Sequence, residues 1–565
     1  MLTGQSGSLD EPPSQLYENG IYYRTMVTGK PQAIEVSDLD LTLDKKTLFT
    51  DLDFSMSYGD KVTIVGENGC GKTTFLRLLC GSDSLPYSGT IEIEGSIGFL
   101  PQHFEEVDGN ELAIKVLLRS LYDEDIDEFL QTSGEPFSSE WLQELNTLGG
   151  HEIFRQCSLI GLSEAVLKQP FKRLSGGEKT KTLLCALSIL EPDFILLDEP
   201  TNHLDNRGVQ WLESFLKRHT GGVIMVTHDR SLINTVSTFI SELSPYTKKF
   251  KHFKGGYKHY LEEEEKLRKR LADERQFQDK ELKKLKAKAV QAQSKVKARI
   301  VRSGADRDKL SYNNKEQRAQ KSTTGLVNQL SDKVENLNNS LVEVIPERSQ
   351  VTFDFDDLPA FSSMLALTVS QVSKSYEKPV LNNVSFTLTK GDRLIIQGPN
   401  GSGKTTLNRI ILGLIEPDTG SVSISGNAVV GYLDQEQENL PLEKSAIGLL
   451  EDDPSINATK QKAISNLQNF GIYKWHDLKT PLKSLSVGCR RKAQLSQLIM
   501  RKCSILILDE PTNHIDFPSL EVIEDALLNF PGIIVASTHD RYFTEKLATK
   551  VIDISNGSTS QVDRE

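Results

Sequence analysis

The same ordered set of short motifs occurs twice in this chain, and this duplication limits its possible folds more than any other feature. The first copy contains GENGCGKT, GFLPQ, LSGGE, LLDEPTNHLD and THDR, and the second contains GPNGSGKT, GYLDQ, LSVGC, LILDEPTNHID and THDR. A chain of 565 residues also exceeds the roughly 250–300 residues at which one hydrophobic core stops growing. We therefore expect two related domains.

Each copy has the pattern of an α/β domain. Short apolar runs at Val62–Val65 and Leu394–Ile396 enter the glycine-rich loops, and helical sequence follows each loop. A second apolar run in each copy, Phe194–Leu197 and Ile505–Leu508, ends in Asp-Glu. Open α/β sheets bind ligands at the carboxyl ends of their strands, so these acidic pairs are candidate site residues.

The two loops have the spacing Gly-x-x-x-x-Gly-Lys-Thr, which is typical of a phosphate-binding loop. Its backbone N–H groups surround a phosphate chain at the positive end of a helix, the lysine contacts the terminal phosphates, and the threonine hydroxyl binds Mg²⁺. The nucleotide-binding candidates are Gly66, Glu67, Asn68, Gly69, Cys70, Gly71, Lys72, Thr73 and Thr74, and Gly398, Pro399, Asn400, Gly401, Ser402, Gly403, Lys404, Thr405 and Thr406.

The acidic pairs complete the predicted phosphoryl-transfer chemistry. Asp198 and Asp509 are suited to hold Mg²⁺, and Glu199 and Glu510 to orient or polarise the attacking water. Alone, an Asp-Glu pair after an apolar run is usually only a solvated strand end. With a GKT loop upstream it is strong evidence for a phosphoryl-transfer site.

Three further motifs occur in this chain: the LSGGE-type signature before the Asp-Glu strand, a glutamine that ends GFLPQ or GYLDQ, and the histidine of THDR. With them the chain resembles the ATP-binding-cassette ATPases over Ala33–Leu243 and Met364–Ile554. In that family two cassettes pair head to tail, and ATP lies between the glycine loop of one and the LSGGE signature of the other. The resemblance implies that Gln102 and Gln435 sense Mg²⁺ and the γ-phosphate, and that His228 and His539 contact the γ-phosphate. The implied signature residues are Ser175, Gly176, Gly177 and Glu178 in the first cassette, and Ser486 and Gly488 in the second.

The second signature departs from the family pattern. It reads LSVGC, so Val487 and Cys489 replace a glycine and an acidic or amide residue. This signature would complete the site that uses Lys72, which we name the first site. We expect the second site, which uses Lys404, to carry most of the turnover.

The adenine contact also differs between the copies. The family stacks an aromatic ring on adenine, and Tyr376 lies at the matching distance before the second loop. The equivalent residue of the first copy is Asp44. Tyr22 or Tyr23 is an alternative source of a ring for the first site.

The segment between the copies is predicted to be a long helical hairpin. Proline is absent from residues 257–345, Lys, Glu, Gln and Ala predominate, and Ser303-Gly304 interrupts the pattern. Leu330, Val334, Leu337, Leu341 and Val344 step by four and three residues, as in a coiled coil. Two antiparallel arms of about 40 residues would each reach roughly 60 Å.

Charge is concentrated near the expected tip of this hairpin. Residues 283–321 have a net charge of +10 in a chain whose net charge is -12. A solvated coiled coil is the simpler explanation of a lysine-rich helix. The crowding of positive charge at the tip instead favours contacts with nucleic-acid phosphates, and the RNA-binding candidates are Lys295, Lys297, Arg299 and Arg302.

Tandem cassettes, PTNH after each Asp-Glu pair and a basic hairpin between the copies are similar to the ABC-F family. This resemblance covers nearly the whole chain. It implies an ATPase that binds the ribosome near the tRNA exit site and directs its hairpin toward the peptidyl-tRNA. Some members are general translation factors, and others displace ribosome-targeting antibiotics.

The predicted organisation follows from these motifs. We expect a flexible leader at 1–33, a first cassette at 34–243, a hairpin linker at 244–360 and a second cassette at 361–560, in a monomer whose cassettes pair with each other. The first cassette has 22 additional residues between Gln102 and Ser175, which we assign to a short acidic insertion at about 107–146.

Composition excludes several other classes of protein. No apolar run approaches the roughly 18–20 residues that cross a bilayer, and the N-terminus lacks the pattern of a secretory signal, so we expect a cytoplasmic protein. The six cysteines form no CxxC pair, which argues against a zinc ribbon or a disulfide framework.

Two other functions fit the cassettes. A duplicated transporter ATPase could dock on separate membrane subunits, but would not need a basic hairpin between its cassettes. A DNA-handling ATPase would have a far longer coil or zinc-binding cysteines, and neither is present.

Overall fold

The computed structural model describes residues 22–24, 33–43, 46–81, 85–102, 110–122, 126, 129–130, 136–147, 149–202, 204–245, 247–303, 329, 333–334, 365–376, 378–434, 440–456, 459–470, 472, 475–513, 515–555 and 558–563. The chain divides into two compact units. One contains residues 1–257 and 351–565, and the other contains residues 258–350.

The N-terminal half of the first unit alternates strands and helices. Its strands are β1 Tyr22–Arg24, β2 Ala33–Leu43, β3 Lys46–Ser57, β4 Lys61–Val65, β5 Tyr87–Glu94, β6 Ile97–Leu100, β7 Phe194–Asp198, β8 Gly222–Val226, β9 Phe239–Leu243 and β10 Phe250–Lys254. Its helices are α1 Lys72–Cys80, α2 Ala113–Tyr122, α3 Ser139–Thr147, α4 Gly150–Ile160, α5 Glu164–Leu167, α6 Gly176–Leu190, α7 Asn206–Arg218 and α8 Arg230–Val236.

The C-terminal half repeats this arrangement after helix α9, Tyr257–Ser303. Its strands are β11 Leu367–Ser375, β12 Pro379–Leu388, β13 Arg393–Gln397, β14 Thr419–Ile424, β15 Val430–Leu433, β16 Ile505–Asp509, β17 Ile533–Ser537, β18 Lys550–Ser555 and β19 Ser558–Asp563. Its helices are α10 Lys404–Ile411, α11 Ala446–Glu451, α12 Lys460–Asn469, α13 Trp475–Lys479, α14 Val487–Met500, α15 Phe517–Leu528 and α16 Arg541–Leu547.

Each half is built on a central sheet of mainly parallel strands. The strand order is β1-β6-β7-β8-β4-β9-β10 in the first half and β15-β16-β17-β13-β18-β19 in the second. Only β1, β10 and β19 run antiparallel to their neighbours, at sheet edges. Each half also has a three-stranded antiparallel sheet, β3-β2-β5 or β12-β11-β14. The predicted fold class, two α/β cassettes, is confirmed.

Apolar clusters cover both faces of each central sheet. In the first half, one cluster joins the antiparallel sheet and α1 to one face, and the other joins α2, α4, α6 and α7 to the opposite face. The strands β4, β7 and β8 are therefore apolar along nearly their whole length, as expected for parallel strands covered on both faces.

Two strands extend the first sheet beyond the boundaries expected from sequence. Residues Tyr22–Arg24 of the leader pair with Ile97–Phe99, and β10 pairs with β9 after Leu243. Neither strand matches an element of the duplicated motifs, so the sequence comparison did not indicate them.

The described part of the acidic insertion packs inward. Trp141 and Leu145 of α3 are buried, as are Phe129 and Leu130, and they join the apolar cluster that contains α2 and α6. These residues enlarge the helical layer of the first cassette.

The other unit contains the long helix expected between the cassettes. Helix α9 runs from Tyr257 to Ser303, and 47 residues at 1.5 Å each give a length of roughly 70 Å. Residues 329, 333 and 334 are also helical, and the rest of the predicted second arm and tip lies outside the described residues. Within the part of the chain that the structure describes, no helix combines the length and apolar character that a bilayer crossing requires.

Candidate nucleotide sites

Each glycine loop connects a central strand to a helix. Gly66–Gly71 lie between β4 and α1, and Gly398–Gly403 between β13 and α10, so that the Lys-Thr-Thr of each motif forms the first turn of the helix. Gly66 and Gly398 have φ values of 153° and 148°. A Cβ atom would lie 2.8 Å from the carbonyl oxygen of Leu243 at the first position and 2.4 Å from that of Ile554 at the second. Only glycine lets the loop approach the neighbouring strand so closely.

The two loop lysines are buried, and each hydrogen-bonds carbonyl oxygens at the start of its own loop. Nζ of Lys72 donates to the carbonyl oxygens of Gly66 and Glu67 at 2.7 and 3.2 Å. Nζ of Lys404 makes the same pair of bonds at 2.8 and 3.2 Å, and lies 3.0 Å from Nε2 of His539. Both ammonium groups are therefore already at the position where a phosphate chain would enter the loop.

The strand-end aspartates are almost fully buried beside these lysines. Asp198 ends β7 and Asp509 ends β16, and Thr405 hydrogen-bonds the Asp509 carboxylate. Among the described residues, Oδ2 of Asp509 and Oε2 of Glu510 are buried and have no hydrogen-bond partner. Buried carboxylate oxygens of this kind need a cation or a donor, so the donor set fits Mg²⁺.

The two glutamates occupy constrained positions next to the aspartates. Glu199 and Glu510 have φ values of 49° and 46°, and their backbone N–H groups donate to Val226 and Ser537 of the adjacent strands. Burial raises the pKa of Glu199 to about 8, and the charge of Lys72 opposes this shift. Burial likewise raises the pKa of Glu510 to about 7, opposed first by Lys404. Raised pKa values suit carboxyl groups that exchange a proton near neutral pH.

A histidine faces each glutamate. Nε2 of His228 lies 3.3 Å from Oε1 of Glu199, and Nε2 of His539 lies 3.7 Å from Oε1 of Glu510. Burial and then the charge of Lys404 lower the pKa of His539 to about 4, so this ring is neutral at pH 7. A neutral ring can accept a hydrogen bond from Lys404.

The two signatures begin their helices differently. Ser175 caps α6 in a full capping box, in which its hydroxyl accepts from the Glu178 N–H and the Glu178 carboxylate accepts from the Ser175 N–H. Ser486 caps α14 by accepting from the N–H of Cys489 at 3.2 Å. The cysteine cannot return the second bond, so the second signature has the weaker cap.

Each loop faces an aspartate of the opposite cassette. The Asn68 N–H of the first loop lies 3.5 Å from Oδ2 of Asp516, and the Phe517 ring stands edge-on to His228 with centroids 5.1 Å apart. Reciprocally, the Asp205 carboxylate of the first cassette interacts electrostatically with the Lys404 ammonium group and partly opposes the lowering of the His539 pKa. The cassettes of this compact unit therefore meet head to tail, with residues of both at each site.

Two arginines join the cassettes. Arg230, after His228, forms a bidentate ion pair with Glu524, and both side chains are buried. The equivalent Arg541 lies 3.5 Å from Glu213 in a more exposed pair. Sequence reasoning did not select these arginines or Asp205 and Asp516, although THDR and PTNH-x-D recur in both copies and were the available signal.

Some of the predicted site residues are exposed or only partly buried, and others lie outside the residues that the structure describes. Tyr376 is 59% exposed, with Nζ of Lys374 5.9 Å from its ring centroid, and Gln102 follows β6 as a half-buried residue. Gln435 and Asp44 lie outside the described residues. The backbone of Lys295, Lys297, Arg299 and Arg302 is helical, and Tyr22 and Tyr23 are placed by backbone pairing.

Comparisons with known proteins cover both cassettes and most of the chain. The sequence profile of the ABC transporter family matches residues 49–202 and 381–513. Ribosome protection protein VmlR of Bacillus subtilis is 31% identical over 546 residues, covering 93% of this chain and 87% of that protein. Energy-dependent translational throttle protein EttA of Haemophilus influenzae is 30% identical over 553 residues, covering 90% of this chain and 89% of that protein. Putative ATP-binding protein YdiF of Bacillus subtilis is 30% identical, covering 93% of this chain and 80% of that protein.

Solved structures are more distant in sequence. One described as RNase-L Inhibitor has a TM-score of 0.55 at 16% identity, covering 92% of this chain and 87% of that chain. An archaeal ribosome recycling factor, in complex with a ribosomal stalk protein, has a TM-score of 0.52 at 17% identity, covering 91% of this chain and 87% of that chain. At these identities the likeness shows the fold alone.

Proposed function

Because this chain belongs to the ABC-F family of ATP-binding-cassette ATPases, we propose that it hydrolyses ATP at two composite sites and uses this cycle to act on the ribosome. The outcome on the ribosome is either regulation of translation or displacement of a bound antibiotic. The names of two relatives support this proposal, since one is a translational throttle protein and another a ribosome protection protein.

The observation that carries the proposal is the reciprocal contact between the cassettes. Asp516 of the second cassette lies at the Asn68 N–H of the first loop, and Asp205 of the first cassette acts on Lys404 of the second loop. A nucleotide bound at either loop would be covered by the opposite cassette. Binding would thus favour closure, and hydrolysis would favour opening.

The site residues have distinct proposed roles. Lys72 and Lys404 bind the terminal phosphates, the signature residues bind the nucleotide of the opposite cassette, and Tyr376 stacks on adenine. Thr73, Asp198 and Gln102, with Thr405, Asp509 and Gln435, would hold Mg²⁺ in the two sites. That ion would neutralise charge on the transferring phosphoryl group.

Hydrolysis then depends on two residues in each site. Glu199 and Glu510 orient the attacking water and accept a proton from it, for which their raised pKa values are suited. His228 and His539 lie beside these glutamates and would contact the γ-phosphate.

The linker is proposed to contact ribosomal RNA and peptidyl-tRNA. Helix α9 provides a rod of roughly 70 Å, and residues 283–321 provide a net charge of +10. A long positively charged rod suits a crevice lined by phosphates. Action on ribosomes would place the protein in the cytoplasm.

The test is co-sedimentation with ribosomes over a salt series. The Glu199→Gln/Glu510→Gln protein with ATP should bind ribosomes more tightly than the same protein without ATP. Replacing Lys295, Lys297, Arg299 and Arg302 by Gln should weaken binding, and each lost phosphate contact should lower the slope of log affinity against log salt by about 0.7–0.9.

A matched control removes the same charges near the start of α9. Replacing Lys266, Lys269, Arg270 and Arg275 by Gln also removes two lysines and two arginines, three of which are paired with acidic neighbours on the helix. This control should leave ribosome affinity close to that of the parent. Equal effects of the two quadruple variants would contradict the tip assignment. Preferential binding to lipid vesicles or duplex DNA would favour the transporter or DNA-handling function.

We also propose that the protein acts as a monomer, with the cassettes at about 34–243 and 361–560 and the linker at 244–360. The contacts between Arg230 and Glu524 and between Arg541 and Glu213 join the cassettes within one chain and support this arrangement.

A further inference from the structure

Three positions around the Asp509–Glu510 pair carry a tyrosine, an aspartate and an arginine in the second cassette, whereas the first cassette has no ionisable side chain at any of the three. The motifs fix the equivalences, because the GFLPQ and GYLDQ motifs align and the helices α6 and α14 start at equivalent serines. The second cassette has Tyr432, Asp434 and Arg491 where the first has Phe99, Pro101 and Thr180.

Asp434 and Arg491 both lie close to the end of strand β16. Strands β15 and β16 are parallel with Leu433 beside Leu508, so Asp434 and Asp509 follow at neighbouring strand ends. Arg491 enters from α14 and is only 1% exposed. Its guanidinium interacts electrostatically with the carboxylates of Glu510, Asp434 and Asp509.

The buried charges in this cluster need compensation. Asp434, Asp509 and Glu510 are 7%, 1% and 6% exposed. Carboxylates packed together away from water repel one another, and each is costly to bury without an opposite charge. Two positive charges act on Asp509 and Glu510. Arg491 provides one from helix α14, and Lys404 provides the other from the glycine loop.

The first cassette has no such compensation at the equivalent position. The hydroxyl of Thr180 donates to the carbonyl oxygen of Gly176 at 3.0 Å, within its own helix. Thr180 is buried but uncharged, and Pro101 replaces the aspartate. The arginine and Asp434 are therefore present together in one cassette and absent together from the other.

We propose that Arg491, with Asp434, is a positioning residue of the second ATP site that fixes the Asp509 and Glu510 carboxylates for hydrolysis. This inference rests on the proposed roles of Asp509 and Glu510. Arg491 acts through these carboxylates, so it should affect the rate of hydrolysis more than the binding of ATP. The first site works without this device.

The experiment isolates the second site by using the Glu199→Gln protein without ribosomes. In this background Arg491→Met, which keeps a buried side chain of similar length, should lower kcat about 10- to 100-fold, as is usual for groups that orient active-site ligands. KM for ATP should change less than about threefold. Arg491→Lys keeps the charge and should recover much of the lost kcat.

Arg501→Met is the matched control. Arg501 lies at the other end of α14 and pairs with Asp453, so its removal also breaks an ion pair of this helix. It should lower the melting temperature but leave kcat close to that of the background. In the Glu510→Gln background, where only the first site hydrolyses, Arg491→Met should have little effect.

The possible results distinguish a positioning role of Arg491 in hydrolysis from a purely structural role in packing. Unchanged kcat in Arg491→Met would overturn the inference, as would equal losses in Arg491→Met and Arg491→Lys or losses matched by Arg501→Met. If Arg491→Met does not fold, Asp434→Asn/Arg491→Met removes both charges together and should still reduce kcat. Residual hydrolysis in Glu199→Gln/Glu510→Gln would instead contradict the proposed glutamate roles, independently of Arg491.

Discussion

The two nucleotide sites have the same backbone frame but different charges and different covering helices. Both have a left-handed glycine, a buried lysine and a glutamate with positive φ at equivalent positions. The second site has Arg491 and Asp434 near its carboxylates, and the signature that would cover it begins with the capping box of Ser175 and Glu178. The first site lacks the extra charges and faces the weaker cap of LSVGC.

This difference shows that the glycine loops and acidic pairs have the same backbone geometry in both copies, while residues of the other motifs and of helix α14 give each site different charges. The departures from symmetry all favour the second site. The comparison therefore predicts unequal hydrolysis by two sites of nearly equal shape.

The largest expected effect comes from removing the glutamates. Glu199→Gln/Glu510→Gln should lower phosphate release at least about 100-fold, because each site loses its proposed general base while the side-chain shape is kept. The single substitutions test the comparison directly. Glu510→Gln should cause the greater loss, and equal losses would break the predicted asymmetry.

Replacing the two inter-cassette arginines should destabilise the protein to different extents. Arg230→Met removes the bidentate partner of buried Glu524, which keeps its bond to Lys546 at 2.9 Å, and should cost roughly 1.5–3 kcal/mol. Arg541→Met removes a more exposed pair and should cost about 1 kcal/mol or less. Thermal unfolding of the two variants measures the difference. Similar melting temperatures would mean that the buried pair has no special role in holding the cassettes together.

Restoring the family pattern in the second signature should increase ATP hydrolysis at the first site. Val487→Gly/Cys489→Glu recreates the LSGGE pattern and its capping box, which is worth about 1 kcal/mol at a helix start. In the Glu510→Gln background, where only the first site hydrolyses, turnover should rise several-fold. Unchanged or lower turnover would show that the first site is limited elsewhere.

The smallest expected effect concerns acid stability. The pKa of His539 is lowered to about 4 by burial and by Lys404, so the fold favours the neutral ring. Its contribution is complete above the ordinary pKa of about 6.5 and is lost as pH falls toward 4. His539→Asn should therefore flatten the decline of melting temperature between pH 6.5 and 4. An unchanged decline would mean that other groups cause it.

The sequence predicted the elements that repeat. The four apolar runs beside the loops and acidic pairs became strands β4, β7, β13 and β16, since apolar runs of this length bounded by glycine or acidic residues are typical of buried parallel strands. The positions of Lys72, Lys404, Asp198 and Asp509 follow from those strands, because side chains at the carboxyl ends of parallel strands meet at one edge.

The strands outside the repeat could not be predicted in this way. Strand β1 pairs with β6, which is far away in the sequence, whereas β10 forms a hairpin with the preceding strand β9. Strands of three to five residues carry little periodic signal. The insertion was classified from its acidic residues, whereas its few apolar residues, such as Trp141, determine how it packs.

The sequence by itself determined the local chemistry, because phosphate-binding loops, strand-end carboxylates and helix caps depend on residues a few positions apart. Only the tertiary structure decided which groups meet across the chain. Arg230 and Glu524 are separated by 294 residues, and the ion pair forms because the two cassettes face each other. Arg491 resembles any arginine of a polar helix until the fold buries it, where its charge interacts with Asp509 and Glu510 with little screening by water.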